Sequence, residues 1–364
     1  MDTRMAELLK DVYNESFFDR LIGKLAAAYP DFPGESFLAL VHADGWESLA
    51  LKARMRRIAE SLAATLPPDY REALAIVKRA AAGARGFEYM LFPDFVELRG
   101  LDDPEASVPA LAELTSGSSA EFAVRPFIRR YPSLMMPQLK RWAADPDEHV
   151  RRLASEGCRP RLPWSFALDE FKRDPAPVLE VLELLKEDES EYVRRSVANN
   201  LNDIAKDHPA LVLDVARRWY GRHPHTDWIV RHGCRTLLKR CDPEALRFFG
   251  LAPAERVAVE GLTLSAEEVP IGGELTVSFA VVHDGDEPVK LRIEYGVDFV
   301  KANGRPSRKL FKLSEKEYAP GATALRFRHK FAQLTTRKHY PGEHRVAIIV
   351  NGAETASLPF RLRS

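Results

Sequence analysis

Apolar residues recur along this chain with two different periods, and the change falls near residue 255. Before it they return every three or four positions, the period of one helix face. Leu8, Leu9 and Val12, then Phe17, Leu21 and Leu25, mark early amphipathic turns. The stretch from Trp46 to Leu66 predicts a long helix closed by Pro67-Pro68, since proline lacks a donor and restricts its predecessor. After residue 255 the apolar residues alternate, as in Leu275, Val277, Phe279, Val281 and in Val289, Leu291, Ile293, Tyr295, Val297. Leu325, Phe327 and Phe331, then Val346, Ile348 and Val350, continue the pattern. Alternation marks strands with one buried face, and Asp284-Gly285 and Asn351-Gly352 are hairpin-closing pairs. About seven such strands in roughly 105 residues predict an antiparallel sandwich of immunoglobulin-like type.

The helical part repeats itself. HVRRLASEGC, YVRRSVANNL and IVRHGCRTLL align on Val150, Val193 and Val230, at spacings of 43 and 37 residues. That is the range of two-helix HEAT-type repeats. Val150, Leu153, Ala154, Gly157 and Cys158 form one small or apolar face, and Val230, Gly233, Cys234, Leu237 and Leu238 form another. Such faces stack into a solenoid. The fold class expected is therefore two-domain: an all-α HEAT-like repeat solenoid over residues 1–254, followed by an all-β immunoglobulin-like sandwich over residues 255–364. Two, six and nine residues after each valine stand Arg152, Glu156, Arg159, then Arg195, Asn199, Asn202, then His232, Thr236, Lys239. These spacings keep each set on one helix face. Glu121, Arg125 and Arg129 share the spacing upstream, so the stack should present a polar stripe of cations punctuated by single acids.

Composition sharpens this picture. Lys+Arg 53 balances Asp+Glu 53, yet residues 122–173 hold 11 basic against 6 acidic residues, and residues 301–346 hold 12 against 3. Two basic patches suit a polyanion such as DNA, because each phosphate contact releases counterions. The segment TTRKHYPGEHR, with Arg337, Lys338, His339 and Arg345, reads as an exposed loop of the second patch. No run approaches the ~18 apolar residues of a membrane span, and the N-terminus lacks a signal-peptide core. Three cysteines, Cys158, Cys234 and Cys241, fit reduced thiols of a cytoplasmic protein. No P-loop or GxGxxG is present, and His223, His225, His232 and Cys234 fit no standard zinc spacing, so no cofactor and no metal are expected.

TSGSSAEFAVRPFI, HVRRLASEGCRPRLPW and YVRRSVANNLNDIAKDHP strongly resemble the DNA alkylation repair glycosylases of the AlkC type. LLKDVYNESFFDRL and WESLALKARMRRIAESLAATLP look like that family too, so the resemblance spans roughly residues 5–250. The sandwich is similar, in pattern alone, to an immunoglobulin-like extension in one branch of it. The resemblance implies a monomeric enzyme that cleaves the N-glycosidic bond of N3-alkylated bases in double-stranded DNA, chiefly 3-methyladenine and also 3-methylcytosine. It further implies an unflipped lesion, in contrast to the usual extrusion into a pocket.

An N3-alkylated adenine is already cationic and a good leaving group, so what remains is to stabilise an oxocarbenium-like sugar and position water. A carboxylate does both. Glu156, between Arg152 and Arg159, is the first candidate; its bland alternative is an i,i+4 ion pair. Glu121 competes with a capping box over Ser118–Glu121, and Asp203 with a surface acid beside Lys206. Trp164 either fills core or packs against the deoxyribose. Arg152, Arg159, Arg161, Arg194 and Arg195 are expected at phosphates, with Arg337 and Lys338 gripping the duplex from the sandwich. The rival from another class is a non-catalytic HEAT scaffold for DNA or protein.

Overall fold

A computed structural model of the protein describes residues 9–251, 255–333 and 338–364. The chain parts into two compact units, Met1–Val212 with Arg218–Gly233, and Leu213–Arg217 with Cys234–Ser364. The helices are α1 (Glu15–Ala28), α2 (Gly34–Val41), α3 (Leu51–Thr65), α4 (Tyr70–Ala81), α5 (Leu91–Gly100), α6 (Pro104–Thr115), α7 (Val124–Arg130) and α8 (Pro132–Trp142). They continue with α9 (Glu148–Gly157), α10 (Asp169–Arg173), α11 (Ala176–Leu185), α12 (Glu191–Ile204), α13 (Pro209–Trp219), α14 (Pro224–Gly233), α15 (Arg235–Lys239) and α16 (Pro243–Phe248). Short polar side chains start several of them: Asn14 accepts from Phe17 N, Asp69 from Glu72 N and Asp103 from Ala106 N. Among the described residues no helix is long and apolar enough to cross a membrane.

The stretch expected as one helix from Trp46 to Leu66 is two pieces. A 3-10 turn, Trp46–Ser48, ends at Leu49, whose extended backbone separates it from α3. The three aligned valines are buried on α9, α12 and α14. Two of the small residues expected on the packing faces explain how closely these helices sit. A Cβ on Gly157 would lie 2.6 Å from Val124 Cγ1, and one on Gly233 would lie 2.9 Å from Leu201 Cδ2. Polar pairing between repeats adds register: Ser155 Oγ donates to Ser196 Oγ at 2.6 Å, and Asn200 Nδ2 donates to the Ser155 carbonyl at 2.8 Å.

The continuous polar stripe is broken in three places. Glu121 precedes α7 and lies outside any helix, Arg159 follows the end of α9, and Cys234 parts α14 from α15, so His232 and Lys239 do not share one helix. Arg125 leaves the stripe altogether and is fully buried.

Among the described residues the second unit holds eight strands: β1 (Val257–Leu264), β2 (Glu268–Pro270), β3 (Glu274–His283), β4 (Val289–Val300), β5 (Pro306–Tyr318), β6 (Gly321–Lys330), β7 (Gly342–Val350) and β8 (Ala353–Arg363). They make a three-stranded sheet, β1-β3-β6, and a five-stranded sheet, β2-β8-β7-β4-β5. The alternating residues Val277, Phe279, Leu291, Ile293, Val297, Ile348 and Val350 form its core. Asn351 and Gly352, with φ of 46° and 84°, turn β7 into β8 as a hairpin, and Asn351 Oδ1 accepts from Arg292 N at 2.8 Å. Asp284-Gly285 does not close a hairpin, because β3 and β4 belong to different sheets. The segment read as an exposed loop is so in part: of its described residues, 338–341 are loop with His339 buried, and from Gly342 the chain is β7, with His344 buried. Lys338 is exposed; Arg337 lies outside the described residues.

Candidate active site

The three carboxylates singled out from sequence come from separate segments and meet through arginines. Arg152, the fourth residue of the first repeat motif, binds Glu121 through Nη1 and lies 3.4 Å from Glu156 Oε1 through Nη2. Arg159 Nη1 donates to the same Glu156 Oε1 at 2.6 Å, and its Nε donates to Asp203 Oδ2 at 2.8 Å. Lys206 Nζ closes the series on Asp203 Oδ1 at 2.8 Å. The result is a chain of alternating sign, Glu121–Arg152–Glu156–Arg159–Asp203–Lys206, running across α9 and α12.

Each link has a local cause. Arg152 and Glu156 are four apart on α9, and Glu156 is three residues before Arg159. Asp203 reaches them because α9 and α12 pack side by side, joined by the Ser155–Ser196 and Asn200–Ser155 hydrogen bonds. Ser196 Oγ, four residues before Asn200, donates to Glu156 Oε2 at 2.6 Å. Access falls along the series: the side chains of Glu121, Glu156 and Asp203 are 16%, 7% and 2% exposed. Burial alone would raise the Glu156 carboxyl, but Arg152, Arg159 and the Ser196 hydroxyl outweigh it and hold it below the usual carboxylate range. Glu156 is therefore an anion at neutral pH, unsuited to donate a proton. Arg159 is likewise buried and Arg152 partly so, yet the facing acids raise both above the ordinary arginine value.

Glu121 does not close a capping box. Ser119, two residues earlier, is its partner: Ser119 Oγ donates to Glu121 Oε2 at 3.0 Å and receives from Arg152 Nη1 at 3.0 Å. Asp203 is buried, so the surface-acid reading fails, although its pairing with Lys206 is present. Trp164 is not core filler, since the residue is 40% exposed. Its φ of 66° puts a bulky residue in the left-handed region.

The arginines divide. Arg194 Nη1 donates to the carbonyls of Asp188 and Glu189, closing the loop before its own helix as Arg151 does with Asp145 and Pro146. The first arginine of each VRR is thus a loop clamp. Arg159 is buried in the ion chain, Arg161 pairs with Asp207 at 2.6 Å, and exposed Arg195 pairs with Glu191 at 2.5 Å. Lys338 lies 5.7 Å from the Tyr340 ring. Among the described residues no group of three His, Cys, Asp or Glu side chains is placed to hold a metal. His225 N instead donates to His223 Nδ1.

Sequence reasoning missed several contributors. Lys52 of α3 donates to the Trp164 carbonyl, Ser196 orients Glu156, and Tyr192 places its half-exposed ring 5.0 Å from the Arg152 guanidinium. Arg125 bonds to the carbonyls of Gly157, Arg159 and Phe166, bracing the loop that follows α9.

Residues 115–237 match the family model described as DNA alkylation repair enzyme, and residues 258–364 match the C-terminal Ig-like domain described for the uncharacterised protein YhaZ. The chain is 38% identical to the Pseudomonas fluorescens alkylpurine DNA glycosylase AlkC, solved with DNA containing an abasic site analog; the match covers 98% of this chain and 99% of that one, with a TM-score of 0.94. The chain belongs to the AlkC-type family of DNA alkylation repair enzymes. Within this family it is also 47% identical to the protein YhaZ of Bacillus subtilis (strain 168), over 97% of this chain and 99% of that protein. The helical AlkC-type part and the Ig-like extension are both present, as the resemblance in sequence implied.

Proposed function

We propose that the protein is a monomeric cytoplasmic DNA glycosylase of base excision repair. It hydrolyses the N-glycosidic bond of cationic N3-alkylated bases, 3-methyladenine and also 3-methylcytosine, in duplex DNA without flipping the base. Catalysis is assigned to residues 1–254, with residues 255–364 gripping the duplex. The reading rests on one observation: three acids from three segments are joined into a single charge-balanced chain that opens to solvent at Glu121.

In this reading the alkylated base leaves without protonation, and positive charge builds on the sugar. The fixed Glu156 carboxylate answers that charge. Glu121, the most accessible acid, orients the attacking water, and Asp203 holds Arg159 and so the orientation of Glu156. The exposed Trp164 ring packs on the deoxyribose, where its π-face favours cationic character. Arg152, Arg161, Arg195 and Lys338 contribute phosphate contacts, while no cofactor takes part. Selectivity follows from leaving-group lability: a neutral base is a poor leaving group that this site does nothing to protonate.

A second reading has its own support. Every acid in the chain is already paired with a cation, which is what a non-catalytic scaffold needs to stitch repeats together. Incubation with methylated duplex DNA separates the two. Release of 3-methyladenine well above the spontaneous rate supports the glycosylase, and release at the spontaneous rate supports the scaffold.

A further inference from the structure

Trp164 stands in a conformation that its own sequence does not favour. Its φ is 66°, and a bulky aromatic residue rarely adopts the left-handed region, so the surroundings must impose it. Its ring is exposed, so packing of the indole does not do so. A local turn does: Ser165 N donates to the Leu162 carbonyl at 3.3 Å with Pro163 and Trp164 between them, and from far along the chain Lys52 Nζ of α3 donates to the Trp164 carbonyl at 2.7 Å, holding that turn in place. The same ammonium sits 4.2 Å from the centre of the Phe122 ring, adjacent to Glu121. Asp94 and Glu97 of α5 attract this charge and oppose the penalty of half-burying it. From the other side Arg125 bonds to the Gly157, Arg159 and Phe166 carbonyls, so the loop of residues 158–166 is held at both ends and at Trp164 itself.

We propose that Lys52 is a positioning residue of the active site: its ammonium tethers the Trp164 carbonyl and the Phe122 ring, fixing the indole relative to Glu121. The inference rests on the glycosylase reading for its functional consequence, not for the tether. Lys52 touches no reacting atom in this account and acts through Trp164.

The test uses the full chain with Lys52→Met, Lys52→Arg, Trp164→Ala and the Lys52→Met, Trp164→Ala double variant. Single-turnover release of 3-methyladenine should slow about tenfold in Lys52→Met, with Kd for DNA within about twofold of wild type and most of the rate restored in Lys52→Arg. In the Trp164→Ala background the Lys52→Met change should cost nothing more. Equal slowing in both backgrounds, or an effect confined to Kd, overturns the tether. A second measurement is independent of activity. With 5-fluorotryptophan in all five tryptophan positions, the Trp164 fluorine resonance, assigned by its loss in Trp164→Phe, should move in Lys52→Met while the other four stay. An unmoved Trp164 resonance overturns the proposal. A wild-type protein that releases no base defeats the glycosylase reading instead, and the fluorine spectra then judge the tether alone.

Discussion

Glu156→Gln isolates the charge at the centre of the ion chain while keeping its shape. The Ser196 hydroxyl can still donate to the amide oxygen. Arg152 keeps Glu121 and Arg159 keeps Asp203, so neither cation is stranded. Removing one partner of an isolated buried pair costs about 3–5 kcal/mol; with a second acid on each arginine the loss should approach that of one charged hydrogen bond, about 1.5–3 kcal/mol. At roughly 2–4 °C per kcal/mol for a unit of this size, Tm should fall by less than about 12 °C and the protein should stay folded at assay temperature. The six-membered chain changes from neutral to a net charge of +1, so affinity for DNA should not weaken. Excision should fall about 10²–10³-fold, the cost of losing a fixed group aimed at developing charge. Single-turnover release of 3-methyladenine under saturating enzyme, with anisotropy for binding, measures both. A rate within twofold of wild type, or a fall in affinity that accounts for the lost rate, would refute the assignment of Glu156. Because its carboxyl lies below the usual range, acidification from pH 7 to 5 should leave its contribution intact.

Arg125→Met should destabilise the first unit by about 3 kcal/mol, since it strips the donors from two buried carbonyls and one part-buried one; chemical unfolding measures this, and a variant as stable as wild type counts against the bracing role. Lys330→Ala with Lys338→Ala should lower the slope of log Kd against log salt by up to about 2, and an unchanged slope removes the sandwich from the DNA contact. Burial holds the His344 ring below its ordinary value, partly offset by the Tyr340 carbonyl. A histidine with a lowered folded value stabilises fully above its unfolded value near 6.5 and loses that contribution as pH falls through the folded value. Thermal unfolding of the sandwich should therefore weaken between pH 7 and 5, and His344→Phe, beside Phe299 and Phe360, should flatten that dependence.

The parts legible in sequence are those written in local periods. The valine-anchored repeat located α9, α12 and α14, and alternation located β3, β4, β6 and β7. The acids were legible because each broke a run of cations, and the structure brings all three together. What was not legible depends on pairing across distance or on a single break. Nothing near Lys52 announces a carbonyl 112 residues away. The helix break at Leu49 carries no proline or glycine, and at the break at Cys234 the preceding Gly233 reads equally well as part of a packing face. β5 escaped notice because it is an edge strand whose burial does not alternate cleanly. Arg125 matched the stripe by spacing, yet its helix begins only at Val124, which turns it inward.

From Ser196 to Ile204 every residue of α12 except Asn199 is buried, so half of this helix has no outer side. Such a segment behaves as a spindle on which the neighbouring repeats are mounted. It cannot rotate or slide without repacking every surface at once. Accommodation of a bent or damaged ligand must then fall to the links around it. Sequence change among relatives should likewise gather at the exposed start of the helix, Glu191, Tyr192 and Arg195, where contacts can be exchanged without disturbing the axis.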